Sequence, residues 1–213
     1  MEFIDKRLEE YIELNSSREP KLLSELSRDT WANILMPRML SGHIQGRVLS
    51  LFSNLIKPKA IIEIGTYTGY SALCLAEGLD KEGELHTIEI NEEHALVAKK
   101  YFDKSVHSKK IIQHIGSGLE IIPKINKKFQ IAFIDADKEN YSKYFDLVID
   151  KIDLGGIIIA DNVLWSGKVI DDEMDNETRE LNLFNNKITT DNRVENILLS
   201  VRDGLMICRK IEN

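Results

Sequence analysis

Cysteine is scarce in this chain. Only Cys74 and Cys208 occur in 213 residues, each inside an apolar pattern. Without a cysteine framework they read as reduced core residues of a cytosolic protein, so a cytoplasmic location is expected. A Cys/His cluster is lacking, which excludes a zinc centre. The five histidines, His43, His86, His94, His107 and His114, are scattered. No apolar run approaches the ~20 residues of a membrane span; Leu154 to Ala160 is among the longest. The start, Met1 to Arg7, carries charges where a signal peptide needs an apolar segment. An excess of positive charge is missing too. The formal net charge is −7, so the protein as a whole is not built to track a phosphate backbone. Internal repeats, linkers and low-complexity segments are absent.

What is present fits one α/β domain spanning 1–213, with 43% hydrophobic and 30% charged residues supplying an ordinary core and surface. Residues 1–57 read as a helical region. Phe3 to Leu14 is amphipathic. Pro20 suits the first turn of a second helix running toward Leu35, and Pro37 interrupts it. Met39 to Ser41 is a connection, and a third helix runs to about Ile56. From 58 to 213 strands and helices alternate. Strands are predicted at 60–65, 84–90, 110–115, 129–136 and 154–161, and helices at 69–79, 92–104, 118–126 and 140–151. Such alternation implies right-handed crossovers and a parallel sheet. The tail differs. Arg193 to Val201 and Leu205 to Ile211 are β-prone runs joined by Arg202-Asp203-Gly204, and Asp-Gly is a hairpin signal. The polar run Lys168 to Glu180 reads as a mobile loop or lid passing into a helix.

The most informative stretch is Ile61-Ile62-Glu63-Ile64-Gly65-Thr66-Tyr67-Thr68-Gly69-Tyr70-Ser71. It reads as a buried strand, an acidic residue, a tight glycine turn and a helix start. Gly65 lets a ligand approach the main chain, and the helix presents free N–H groups at the carboxyl end of the strand. Open α/β sheets bind nucleotide-like ligands there. The third glycine of the dinucleotide fingerprint is missing. An acid about 20 residues after a glycine turn is placed to take ribose hydroxyls, and Glu89 falls there. Strand alternation sends Asp135 and Asp137 to one side. Asp161 and Asn162 end the next strand. With Asp135 they form a candidate hard-cation site for Mg²⁺, Mn²⁺ or Ca²⁺.

The segments IEIGTYTGYS, LHTIEIN, AFIDADKENY, IIADNVLWSGKV and DNRVENILLSVRDGLMICRKI together resemble the cation-dependent class I O-methyltransferases, from about Met39 to Ile211. These include the caffeoyl-CoA O-methyltransferase-like enzymes and, more distantly, catechol O-methyltransferase. The resemblance implies a Rossmann-like class I methyltransferase sheet of seven strands, mostly parallel with the last antiparallel, and extra N-terminal helices. It implies S-adenosylmethionine and a divalent cation as cofactors. By position, Glu63, Gly65, Thr66, Tyr67 and Ser71 would wrap the methionine part, and Met39 and Ser41 would touch it from the N-terminal segment. Glu89 would be the ribose acid, Ser117 and Gly118 the adenine edge, and Asp137 the neighbour of the methionine amine. Asp135, Asp161 and Asn162 would ligate the metal, and Lys138 would be the catalytic base or assist deprotonation. Trp165 and Ser166 would border the acceptor. The family carries acidic residues before the glycine matching Gly46; here the segment reads Ser41-Gly42-His43-Ile44-Gln45-Gly46. Basic contacts to coenzyme A are not matched in 168–180.

The implied reaction is methylation of a small catechol-type acceptor. A cation lowers a phenol's pKa from about 10, and two adjacent hydroxyls can chelate it. Pairing of subunits into a homodimer is implied as well, with apolar stripes on the N-terminal helices to support it. Three other readings stand beside this one. Methylation of a hydroxylated tRNA base is opposed by the acidic balance. A nicotinamide dehydrogenase is opposed by the missing glycine. A non-catalytic binding module would leave the oxygen-ligand set without a purpose.

Overall fold

The structure, a computed structural model, describes residues 5–212. Phe3 and Ile4, read above as part of the first helix, lie outside the described residues. Seven strands form one sheet: β1 (Ala60–Ile64), β2 (Glu84–Glu89), β3 (Ile111–Ile115), β4 (Phe129–Ile134), β5 (Ile152–Asp161), β6 (Val194–Leu199) and β7 (Leu205–Lys210). Their order is β3-β2-β1-β4-β5-β7-β6. The first five pair in parallel. Strand β7 runs antiparallel to both β5 and β6, as a hairpin inserted back into the sheet requires.

Eight helices accompany the sheet among the described residues: α1 (Lys6–Leu14), α2 (Lys21–Asn33), α3 (Gly42–Ile56), α4 (Tyr70–Ala76), α5 (Glu92–Phe102), α6 (Gly118–Ile121), α7 (Tyr141–Ile149) and α8 (Asn176–Thr190). Strand periodicity divides the core in two. Ile62, Ile64, Ala132, Ile134 and Ile158 face α7 and α8, packing on Phe145, Phe184 and Ile188. Ile61, Leu85, Ile131, Phe133 and Ile159 face the other way, toward Leu26, Leu49, Leu73 and Phe102 of α2 to α5. A fully buried side chain of this size stabilises by about 1.5–3 kcal/mol. All five residues of β1 are buried, which explains its unbroken apolar run around Glu63.

Several boundaries differ from the sequence expectation. The helix expected over 118–126 is the single turn α6 followed by a 3₁₀ turn, Ile122–Lys124, with Pro123 at its start. Proline removes an amide donor and cannot continue an α-helix. Pro20 is the N-cap of α2 rather than part of its first turn. Met39 ends a short 3₁₀ turn, Pro37–Met39, instead of lying in an open connection. Strand β4 stops at Ile134, so Asp135 and Asp137 stand beyond the pleat and alternation does not govern them. Residues 200–204 join β6 to β7, a link two residues longer than the expected Arg202-Asp203-Gly204, with Arg202 and Gly204 left-handed at φ 49° and 88°. No described helix is long and apolar enough to cross a membrane.

Strand order reverses between β1 and β4, the place where open α/β sheets bind ligands. The two strand ends approach closely there. A Cβ on Gly65 would lie 1.8 Å from the Asp135 carbonyl oxygen, so no other residue fits.

Candidate active site

A cleft of about 1570 Å³ opens above the carboxyl ends of β1, β2, β4 and β5. Its floor begins at the glycine turn. Gly65 and Thr66 both donate their N–H to the Ile88 carbonyl, at 3.0 and 3.2 Å. Gly65, Tyr67 and Gly69 are left-handed, at φ 98°, 50° and 93°. Tyr67 pays for its side chain in such a position with backbone strain. Its N–H donates to Glu89 Oε2 at 2.6 Å, and its hydroxyl donates to the Leu35 carbonyl at 3.1 Å. The turn is thereby fastened to β2 and to the N-terminal segment.

Glu89 ends β2 almost buried, and its second oxygen accepts from Asn91 N at 2.9 Å. Each oxygen holds one backbone donor and retains lone-pair capacity for a diol. Ser117 and Gly118 line the same cleft across from it, at the start of α6. Asp137 is exposed at the mouth, where Oδ1 accepts from the Tyr144 hydroxyl at 2.5 Å and Oδ2 from Asn140. Met39 and Ser41 close the near wall from the N-terminal segment.

Glu63, Thr66 and Ser71 lie elsewhere, buried beneath the turn and off the cleft lining. The Thr87 hydroxyl donates to Glu63 Oε2 at 2.5 Å, while Oε1 has no partner. Complete burial pushes the Glu63 pKa up to about 8, and the charges of Asp135 and Glu89 add to the shift. A cofactor fits this arrangement through a half-used carboxylate at Glu89 and open main chain at Gly65.

At the centre of the cleft Lys138 gathers the oxygen donors. Lys138 is 8% exposed. Its Nζ donates to Asn162 Oδ1 at 2.9 Å, Asp135 Oδ1 at 3.2 Å and the Tyr141 hydroxyl at 2.7 Å. That hydroxyl donates in turn to the Asp161 carbonyl at 2.9 Å, and burial holds it protonated well above its usual range. Asp161 is 1% exposed. Burial and the Asp135 charge push its pKa up to about 7, against the pull of Gln45, Arg202 and Lys138. A buried carboxylate raised by a neighbouring carboxylate, with an ammonium hydrogen-bonded to that neighbour, makes a centre suited to positive charge. Asp135, Asp161 and Asn162 supply oxygen alone, which fits a hard divalent cation. No group of three or more His, Cys, Asp or Glu side chains suited to a metal occurs among the described residues, so the set depends on the Asn162 amide.

Trp165 and Ser166 form the far wall. Both are left-handed, at φ 45° and 56°, and their turn hangs from the β6–β7 hairpin. Ser166 N donates to Asp203 Oδ1 at 2.5 Å, and Leu164 N to the Asp203 carbonyl at 2.9 Å. The Trp165 ring centroid is 5.5 Å from Lys138 Nζ. Tyr141, Tyr144 and Trp31 carry no signal in the sequence yet belong to the site or its frame, and Gln45, noted only as part of the segment before Gly46, reaches Asp161. Only the left-handed demand of the hairpin left a local signal.

A sequence model of the O-methyltransferase family matches residues 13–211. Caffeoyl-CoA O-methyltransferase of Mesembryanthemum crystallinum is 36% identical over 207 residues, covering 91% of this chain and 81% of the relative. Caffeoyl-CoA O-methyltransferase 1 of Arabidopsis thaliana is 32% identical, covering 91% and 80%. The O-methyltransferase of Bacillus cereus, solved in complex with SAH, superposes with a TM-score of 0.89 at 28% identity, covering 96% and 97%. TomG of Streptomyces achromogenes, an O-methyltransferase solved with SAM, gives 0.88 at 26% identity and 96% of each chain. Matched along nearly its whole length and carrying the same sheet, this chain belongs to the O-methyltransferase family.

Proposed function

We propose that this O-methyltransferase moves a methyl group from S-adenosylmethionine to one hydroxyl of a small vicinal dihydroxy aromatic acceptor, with a divalent cation at Asp135, Asp161 and Asn162. The observation that carries the reading is the meeting of Asp135 and Asn162 on Lys138, with Asp161 lining the same cleft, which also contains Glu89 and the glycine turn. Single drug-sized ligands occupy roughly 300–1,000 Å³. A cleft of about 1570 Å³ has room for a nucleoside cofactor and an aromatic acceptor together.

Glu89 holds the ribose diol, and Asp137, braced by Tyr144, stands at the methionine end. The cofactor supplies an electrophilic sulfonium methyl when bound. The cation, when bound, stabilises the phenolate oxygen and lowers the acceptor's pKa. Lys138 Nζ faces the same oxygen, taking its proton as an amine or holding its negative charge as an ammonium. Trp165 stacks beside the acceptor ring and keeps water out. Positioning supplies much of the rate for an in-line displacement of this kind.

The whole chain acts as one domain and pairs as a homodimer in the cytoplasm. Helix α1 buries none of its residues, and Tyr11 and Leu14 on it are exposed along with Trp31 and Leu35. A second subunit would cover them. A tRNA acceptor is disfavoured by the net charge of −7 and by Glu9, Glu13 and Glu177 on the cleft rim. Methyl transfer to catechols, run against bulk tRNA with and without Mg²⁺, tests the reading. Cation-dependent methylation of the catechols is expected; methylation of tRNA alone would overturn the acceptor class.

A further inference from the structure

Gln45 and Arg202 are joined to the candidate cation ligand Asp161 by a chain of hydrogen bonds. Gln45, in α3, is fully buried, and its Nε2 donates to Asp161 Oδ2 at 2.5 Å. Its Oε1 accepts from Arg202 Nη1 at 3.3 Å. A guanidinium can only donate. The end of the Gln45 amide facing Arg202 is therefore the carbonyl, and the end facing Asp161 is the NH₂ donor. Arg202 is anchored beyond Gln45 by the carbonyls of Ser41 and, at 3.4 Å, Arg38.

The backbone of Arg202 is left-handed at φ 49°. A side chain is disfavoured in that region, and such outliers persist where the surroundings hold them, often at functional sites. Asp161 Oδ1 is held separately by Asn162 N at 2.7 Å. One donor on each oxygen stops the carboxylate from turning.

We propose that Gln45 and Arg202 are positioning residues for the divalent cation: Gln45 holds the Asp161 carboxylate in its ligating orientation, and Arg202 sets which way the Gln45 amide points. The proposal rests on the cation-dependent reading above. Partners that orient metal ligands commonly contribute about 10- to 100-fold to metal affinity.

Titration of the full chain with Mn²⁺, reading free Mn²⁺ by electron paramagnetic resonance, measures affinity without turnover. Gln45→Met keeps the length of the side chain and removes both ends of the amide. Its Mn²⁺ affinity is expected to fall about 10- to 100-fold, while affinity for S-adenosylmethionine holds. Arg202→Met should also weaken Mn²⁺. The double variant should bind Mn²⁺ no more weakly than Gln45→Met alone, because Arg202 acts through Gln45. Arg202 is exposed on the hairpin, so its variant remains informative even if Gln45→Met fails to fold. Mn²⁺ affinity unchanged in Arg202→Met overturns the relay. Equal loss of cofactor and Mn²⁺ affinity in the variants also overturns it, as that marks general damage. Wild-type binding by Gln45→Met, beside a defective Asp161→Asn, removes the relay and leaves the cation reading standing. Failure of the wild-type protein to bind Mn²⁺ removes both.

Discussion

The backbone N–H of Tyr67 donates to Glu89 Oε2 at 2.6 Å, tying the turn after β1 to the last residue of β2. One carboxylate thus braces the glycine turn and keeps lone pairs free at the cleft. Glu89→Ala should weaken S-adenosylmethionine binding by about 1–3 kcal/mol, the scale of a lost charge-assisted hydrogen bond. Calorimetric titration reads this directly. Affinity equal to wild type would show that Glu89 does not take the ribose.

Chelation should stop the reaction. Asp135, Asp161 and Asn162 offer only oxygen, so EDTA is expected to abolish turnover and Mg²⁺ or Mn²⁺ to restore it. Full activity after exhaustive dialysis against EDTA would remove the cation from the mechanism.

Lys138→Ala should cut the chemical step by about 100- to 10,000-fold, the range for a proton-transfer group. The Nζ of Lys138 touches Asp135 and Asn162 but makes no contact with Glu89, so cofactor affinity should hold. Single-turnover methylation of a catechol across pH decides the matter. A mutant rate close to wild type at neutral pH leaves the cation as sole activator.

Glu63 gives the apoprotein a signature in its stability against pH. Its folded pKa is about 8, above the ordinary 4.5, because burial disfavours the charged form. The folded state therefore holds a proton that the unfolded chain has lost. The stability this contributes is complete below about pH 4.5 and disappears as pH rises through about 8. Glu63→Gln keeps the shape and cannot ionise. Its stability relative to wild type should rise between pH 5 and pH 8. A difference that urea unfolding shows to be independent of pH in that window would contradict the buried neutral acid.

Homodimer formation should appear in light scattering as twice the 24.4 kDa chain mass at micromolar concentration. Charged substitutions at Tyr11 and Leu14, both exposed, should shift the mass toward the monomer. A monomer mass for the unaltered protein would leave the bare face of α1 to some other role.

Much of the architecture was legible from local pattern. The apolar run around Glu63, the glycines at 65 and 69, and acids closing β2 and β5 are signals carried by a few adjacent residues. Backbone sterics and strand periodicity act over the same short range. That is why the strands, and the cleft at their ends, followed from reading along the chain. Where pattern failed, a neighbour distant in sequence had intervened or a proline had broken a helix. Asp135 and Asp137 looked equivalent by alternation, yet β4 ends before both. Asp135 then meets Lys138, and Asp137 meets Tyr144.

Residue types, their order and the glycine turn are carried by the sequence itself: a buried strand ending in a glycine turn, an acid closing β2, and the oxygen-bearing side chains of Asp135, Asp161 and Asn162 near the ends of β4 and β5. Only the tertiary structure decided what holds those donors. Gln45 and Asp161 are 116 positions apart, and Arg202 and Ser41 are 161 apart. No local preference encodes such pairs. They form because packing of α3 on the sheet brings a buried amide against a buried carboxylate, where each polar group must find a partner or bear the cost of leaving water.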